Sequence, residues 1–135
     1  KDLFEIWRSH KPPYIATISP SHPIDLSNKF EKASGIKGPK LFITFSPCPP
    51  GWSFDSSKSV EIAKLAVQTG LWPLKEAVDG IVEHTVVPKF KPVEEYLKIQ
   101  NRYDHLFDPV KQIDVVNIIQ KDIDDYWKRY SDNGQ

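Results

Sequence analysis

The chain has 135 residues and balances 18 lysines and arginines against 18 aspartates and glutamates, with four histidines, one cysteine and no methionine. That length suits one domain with a usable core rather than two packed domains, and a zero net charge without a basic block argues against a surface that tracks nucleic-acid phosphates. One cysteine excludes an internal disulfide, and neither a signal peptide nor an apolar run of spanning length is visible. The expectation is a cytoplasmic protein in a reducing compartment, with protein or small-molecule partners, no nucleic acid and no membrane.

Taken in order, Leu3, Ile6 and Trp7 form a one-sided apolar stripe on a short helix over Lys1–His10, and Pro12-Pro13 forbids its continuation. Tyr14–Ile18 is β-branched and aromatic between turn formers and reads as a strand, ended by Ser19-Pro20-Ser21-His22-Pro23. Ile24–Ser34 is helical, with Leu26, Phe30 and Ala33 in register and Gly35 placed as its C-terminal cap. Lys40–Phe45, bounded by Pro39 and Pro47, has the continuous apolar pattern of a strand buried on both faces and is expected near the middle of a sheet. Strand, helix and strand make a βαβ unit, for which a right-handed crossover onto a parallel sheet is the default.

Ser46, Pro47, Cys48, Pro49, Pro50, Gly51 and Trp52 follow. Three prolines in four positions fix φ and remove backbone donors, so this loop is expected to join neither helix nor strand and to hold Cys48 in a stiff turn. A thiol at the carboxyl end of a strand is where α/β proteins place ligand chemistry. Beyond it, Asp55 or Ser56 caps a helix over Ser57–Thr69 with a stripe of Val60, Ala63, Ala66 and Val67, and Gly70 stops it. Leu71–Val78 and Ile81–Val87 flank Asp79-Gly80, a strong hairpin signal. Pro92 opens a helix carrying Val93, Tyr96, Leu97 and Gln100. From Asp108 on, Val110, Ile113, Val116, Ile119 or Gln120, Ile123, Tyr126 or Trp127 and Tyr130 keep a helical period. This long amphipathic helix packs on its own domain or on a partner subunit, and Ser131–Gln135 reads as a frayed tail.

The run KGPKLFITFSPCPPGW, then KSVEIAKLAVQTGLWPL and KPVEEYLKIQ, resembles the C-terminal part of the β subunit of pyruvate:ferredoxin oxidoreductase and its 2-oxoacid:ferredoxin relatives, over about Lys1 to Leu106. The resemblance implies an α/β chain that is the C-terminal part of a thiamine-diphosphate-binding fold: a parallel βαβ unit, a β-hairpin and a long C-terminal helix. It implies residues 1–107 as the end of that domain and 108–135 as helix and tail. It also implies thiamine diphosphate with Mg2+ and a 4Fe-4S cluster in the complete enzyme, coenzyme A and a 2-oxoacid as substrates, and ferredoxin and α, γ and δ type subunits as partners. By that resemblance Cys48 is the metal ligand, the last thiolate of the cluster. The family's Gly-Asp-Gly thiamine motif and three further cluster cysteines lie upstream of everything matched. With no methionine and a start at Lys1, the sequence reads as a piece of a longer polypeptide.

From the residues alone, a lone cysteine is more often a small buried hydrophobe than a ligand, and a thiolate-held 4Fe-4S cluster needs four thiolates. His10, His22, His84 and His105 lack zinc spacing, and Glu94-Glu95 and Asp124-Asp125 read as solvated helix faces. Trp52 and Trp72 are core or pocket-lining residues. No catalytic or thiamine-contacting residue is assigned. The first expectation is a segment that is inactive alone and completes a 2-oxoacid oxidoreductase, most simply a pyruvate synthase. The alternative is a non-catalytic assembly or regulatory module docking through its C-terminal helix. A small enzyme using Cys48 as nucleophile ranks below both, because no base is identified.

Overall fold

A computed structural model describes residues 1–132, and the elements follow the expected order. They are α1 (Leu3–Arg8), β1 (Tyr14–Ile18), α2 (Pro23–Ser34), β2 (Lys40–Thr44), α3 (Pro49–Trp52), α4 (Ser59–Gln68), β3 (Lys75–Val78), β4 (Ile81–His84), α5 (Val93–Leu97) and α6 (Ile113–Asp132). Short 3-10 turns at Ser56–Lys58 and Asn101–Leu106 precede α4 and follow α5. Contacts divide the chain into two compact units. One contains residues 1–46 and 73–87, and the other 47–72 and 88 onward.

The first unit is a four-stranded sheet in the order β2-β1-β3-β4. β1 pairs in parallel with β2, Tyr14 opposite Lys40 through Ile18 opposite Thr44, as the βαβ reading requires. β3 runs antiparallel to β1 and forms a hairpin with β4, Val78 opposite Ile81. The turn residues Asp79 and Gly80 have φ of 48° and 86°, the two positive values a type I′ turn needs.

The expectation that Lys40–Phe45 is the inner strand is corrected. β1 lies between β2 and β3 and all five of its residues are buried, whereas β2 is an outer strand with half-buried and exposed residues. Both runs are apolar, and it is the long-range pairing of β3 with β1 that decides which is enclosed. One sheet face packs Tyr14, Ala16 and Ile18 against Ala33 and Leu26 of α2. The other packs Ile15 and Ala77 against Phe4 of α1. The stripe expected to anchor α1 faces outward instead: Leu3, Ile6 and Trp7 are exposed and Phe4 is buried.

Where ladder pairing of β1 with β3 ends, Thr17 takes over. Its hydroxyl donates to the Pro73 carbonyl at 2.6 Å and accepts the Lys75 N–H at 2.9 Å. α2 begins at Pro23, and Gly35 is its C-terminal cap with an ordinary right-handed φ of −80°.

The second unit is helical. Asp55 accepts the Ser57 N–H at 2.8 Å, as its capping role predicts, and α4 buries Ile62, Ala63, Leu65, Ala66 and Val67 while Val60 is exposed. Gly70 ends that helix with φ +80°, and its carbonyl accepts the Trp127 indole N–H at 3.0 Å. Val93, Tyr96, Leu97 and Gln100 are all buried, although α5 itself stops at Leu97. Of the two ways to seat α6, the structure shows packing within its own unit: Val116, Ile123 and Trp127 are buried, and Gln120 caps α5 by accepting the Val93 N–H at 2.8 Å. Val110 and Ile113 are exposed. α6 continues through Asp132, so Ser131 and Asp132 have helical backbone, and the remainder of the predicted tail, 133–135, lies outside the described residues.

Candidate functional site

Cys48 is exposed, with extended backbone at φ −112° and ψ 100°, and directly precedes the four-residue helical turn α3. The expectation that the prolines bar helix is therefore corrected. Pro49 and Pro50 occupy the first turn, where backbone N–H groups have no partner within the helix and proline's fixed φ is already helical. Trp52 N–H closes the turn on the Cys48 carbonyl at 2.9 Å, and Ser53, at φ 53°, lets Phe54 N–H reach the Pro49 carbonyl at 3.2 Å. The thiol thus stands on backbone fixed by two prolines and two hydrogen bonds.

Gly51 leaves the space beside it open: a Cβ there would come 3.1 Å from the Cys48 Sγ. This donor chemistry fits one position of a thiolate-held iron–sulfur cluster, being soft, accessible and preorganised. Among the described residues no group of three His, Cys, Asp or Glu side chains converges on a metal site. A thiolate-held 4Fe-4S cluster needs four thiolates, and the sequence contains one cysteine.

The turn is braced from the segment after α5. The Arg102 guanidinium lies 4.0 Å from the Trp52 ring centre and 4.6 Å from that of Tyr103. Its Nε donates to Gln100 Oε1 at 3.0 Å and one terminal nitrogen to the Tyr96 hydroxyl at 3.1 Å. Gln100 is fully buried, with its amide nitrogen donating to the Tyr96 carbonyl at 2.6 Å. Burial holds the Tyr96 hydroxyl above its usual pKa, so it stays protonated. Asn101 N–H donates to the Ser53 carbonyl at 2.9 Å, a second tie to the turn. Sequence reasoning missed Arg102. The available signal was Gln100, an amide in the stripe Val93, Tyr96 and Leu97, which needs a polar partner once buried.

The other candidates fall elsewhere. His10 and His105 are exposed, and His22 is half-buried against the Ser21 hydroxyl at 2.9 Å. His84 is half-buried, and burial followed by the charges of Lys75 and Lys29 pushes its pKa down to about 4. Glu94 bonds Lys98 and Lys111, each at 2.6 Å, which holds its carboxyl below the usual range. Glu95 pairs with Lys91 and Asp125 with Lys121, both at 2.9 Å, while Asp124 accepts from Gln120 at 3.0 Å. The four carboxylates lie on α5 and α6 and are held in surface pairs, as expected of solvated helix faces. Trp52 is half-buried under Arg102, and Trp72 is half-buried with its backbone N–H on the Ala66 carbonyl at 2.8 Å.

The sheet unit has a cleft of about 640 Å³ beside α2, lined by His22, Asp25, Lys29, Lys32, Glu76 and Thr85 among others. Its charges are spent internally. Buried Lys29 donates to Asp25 at 2.7 Å and to the Thr17 carbonyl at 2.9 Å, and buried Glu76 accepts from the Tyr14 hydroxyl at 2.6 Å and from Lys32. No described helix is long and apolar enough to cross a membrane.

No family model matches the chain. Curated relatives do. Pyruvate synthase subunit PorB of Methanosarcina barkeri is 49% identical over 110 residues, covering 79% of this chain and 36% of that subunit. PorB of Methanocaldococcus jannaschii is 43% identical over 129 residues, 95% of this chain and 42% of the relative. Ketoisovalerate oxidoreductase subunit VorB of Pyrococcus horikoshii is 39% identical over 132 residues, 96% and 41% respectively. A match spanning 95% of a chain leaves only terminal residues outside it, so the Cys48 turn and Arg102 both fall within the similar region. The chain spans about two-fifths of the length of these relatives, and over most of its own length it is similar to the PorB subunit of pyruvate synthase and the VorB subunit of ketoisovalerate oxidoreductase.

Proposed function

We propose that the chain is the C-terminal part of the β subunit of a 2-oxoacid:ferredoxin oxidoreductase. In this reading residues 1–107 close the thiamine-diphosphate domain, residues 108–135 add a helix and tail, and Cys48 supplies one ligand of a 4Fe-4S cluster. The observation that carries it is an exposed thiol on a proline-stiffened turn, opened by Gly51, inside a sequence 42–49% identical to PorB subunits. The net reaction converts a 2-oxoacid anion and the thiol of coenzyme A into acyl-CoA, carbon dioxide, one proton and two electrons, the electrons leaving for ferredoxin. When bound, thiamine diphosphate with Mg2+ supplies the electron sink that decarboxylation needs, and the cluster carries electrons one at a time.

This chain's own part is positional. Cys48 binds as thiolate, Pro49 and Pro50 hold its backbone without an ordering cost at the moment of ligation, and Gly51 keeps the sulfur's flank clear. The remaining ligands and the thiamine contacts come from other segments, with α, γ and δ type subunits as partners in the cytoplasm. Pyruvate is the substrate to test first, on the identities of the PorB relatives. The names do not sort cleanly by identity, since Pyrococcus furiosus PorB, at 35%, falls below both VorB subunits, at 39% and 37%.

The test is Cys48→Ala in the complete enzyme. The variant is expected to lose the four-iron signal of one cluster and to reduce ferredoxin slower by orders of magnitude, while still binding thiamine diphosphate by calorimetry. A folded Cys48→Ala enzyme with unchanged iron content, spectrum and ferredoxin rate removes the ligand assignment. One observation favours the second reading, a non-catalytic assembly module: Ile113, Val115 and Ile118 are exposed on α6. An intact protein that holds no cluster, yet loses its partner subunits on Ile118→Glu, would establish it.

A further inference from the structure

We propose that Arg102 is a positioning residue for the Cys48 turn, fixing a positive charge against Trp52, whose backbone holds the Cys48 carbonyl, and thereby setting the potential and electronic symmetry of the cluster that Cys48 binds. The inference rests on the ligand role given to Cys48 above. Its own basis is the geometry of Arg102. A guanidinium is planar and donates within its plane, so it stacks on a ring and hydrogen-bonds sideways at the same time. Here both happen: the guanidinium carbon lies over the Trp52 ring, 4.0 Å from its centre, while two of the nitrogens reach Gln100 and Tyr96. The acceptors are themselves immobile. Gln100 is fully buried and anchored to the Tyr96 carbonyl, and Tyr96 is only 2% exposed.

A rigid line therefore runs from the backbone of α5 through Gln100 and Arg102 to the Trp52 ring, and Trp52 N–H is bonded to the carbonyl of Cys48. Among the described residues no carboxylate pairs with Arg102, so its charge is not neutralised locally by an ion pair. The surface cations Lys91, Lys98, Lys111 and Lys121 all have such partners. A cation without an ion-pair partner, tied through Trp52 to the residue that carries the thiolate, favours the state of a bound centre with one more electron and raises its reduction potential.

The experiment is a potentiometric titration followed by electron paramagnetic resonance on the complete enzyme, purified anaerobically, reading the cluster whose signal Cys48→Ala removes. Arg102→Gln is expected to shift that midpoint to a more negative potential and to change the line shape. Arg102→Lys, which keeps the cation and loses the planar fork, is expected to return the potential toward the original value but not the line shape. Tyr96→Phe, a near-isosteric change that removes one acceptor, gives a smaller negative shift and secures the test if Arg102→Gln does not fold. Lys121→Gln, the same charge change on an exposed pair of α6, is expected to leave both readings unchanged. Midpoint and line shape equal to the parent enzyme in folded Arg102→Gln, or in Tyr96→Phe if only that folds, overturn the inference. A cluster signal that survives Cys48→Ala overturns the ligand reading instead, so the two failures are distinguishable.

Discussion

The two units treat polar groups in opposite ways. In the sheet unit, ionisable side chains go inside: Lys29, Lys75 and Glu76 are each at most 3% exposed. In the helical unit the buried polar side chains among the described residues are the neutral Thr69 and Gln100, and the thiol that could do chemistry is exposed. A buried charge is tolerated because it is paired, and pairing consumes the donors and acceptors a ligand would use. The lesson is that the charged cleft beside α2 is scaffold, while the turn that carries Cys48, whose residues 46–53 include no charged side chain, is available for ligation. Perturbing the first unit should therefore change stability, and perturbing the turn should change reactivity with stability almost intact.

The largest effect is expected from Asp25→Ala. It leaves the Lys29 cation, 1% exposed, with the Thr17 carbonyl as its one hydrogen-bond partner. Stranding one member of a buried pair costs about 3 to 5 kcal/mol, to be read from urea midpoints. Adding Lys29→Met removes the stranded charge and should recover more than half of that loss. A double variant as unstable as Asp25→Ala would mean that the cost is packing rather than charge.

The matching test in the helical unit is Gly70→Ala. At φ +80° an L side chain is strained, and its Cβ would stand 2.6 Å from the Trp127 Nε1. Strain of this kind costs about 1 to 3 kcal/mol, and here it also pushes Trp127 off the Gly70 carbonyl. Trp127 fluorescence should shift along with the midpoint. An unchanged tryptophan signal would show that α6 is seated by other contacts.

How much of this was legible in the sequence varies with the range of the interaction that decides it. The strand at Tyr14–Ile18, the parallel pairing with Lys40–Thr44 and the Asp79-Gly80 turn follow from local patterns and appear where expected. Which strand is enclosed did not, because YIATI and KLFIT are both mostly apolar, Lys40 apart, and β3 decides between them from far along the chain. Lys29 was half legible: it stands three residues after Leu26 and four before Ala33, so the helical period already put it on the inner face. In α1 the stripe Leu3, Ile6 and Trp7 misled because a six-residue helix can satisfy its core with one side chain, Phe4. The Cys48 turn was located from its prolines, but its brace through Arg102 depends on residues distant in sequence that no local period links to it.

A smaller effect should appear with pH in the sheet unit. His84 has its pKa pushed from 6.5 down to about 4, first by burial and then by Lys75 and Lys29. Below pH 6.5 the unfolded chain takes up a proton that folded His84 refuses, so stability present above that pH is lost as pH falls toward 4. Carboxylates titrate in the same acid range, so the informative quantity is a difference. His84→Gln should flatten the fall in stability between these values relative to the parent chain. Parallel pH profiles would mean that His84 is solvated enough to titrate normally.

The smallest change in stability, and the most pointed test of the contrast, is Gly51→Ala. Gly51 is exposed and sits inside the short helical turn, where alanine is favoured over glycine by about 1 kcal/mol or less. The unfolding midpoint should therefore move little, in either direction. The added methyl meets the Cys48 Sγ at 3.1 Å, closer than ordinary contact, so the sulfur must rotate or the turn must give by a few tenths of an ångström. Because Pro49 and Pro50 restrict the backbone, the side chain is the part free to move. Alkylation of Cys48 by iodoacetamide in the native chain should then slow severalfold, with the methyl screening one approach to the sulfur. The same rate in both proteins would mean that the thiol samples positions clear of Gly51, and that the turn fixes the backbone of Cys48 without fixing its sulfur.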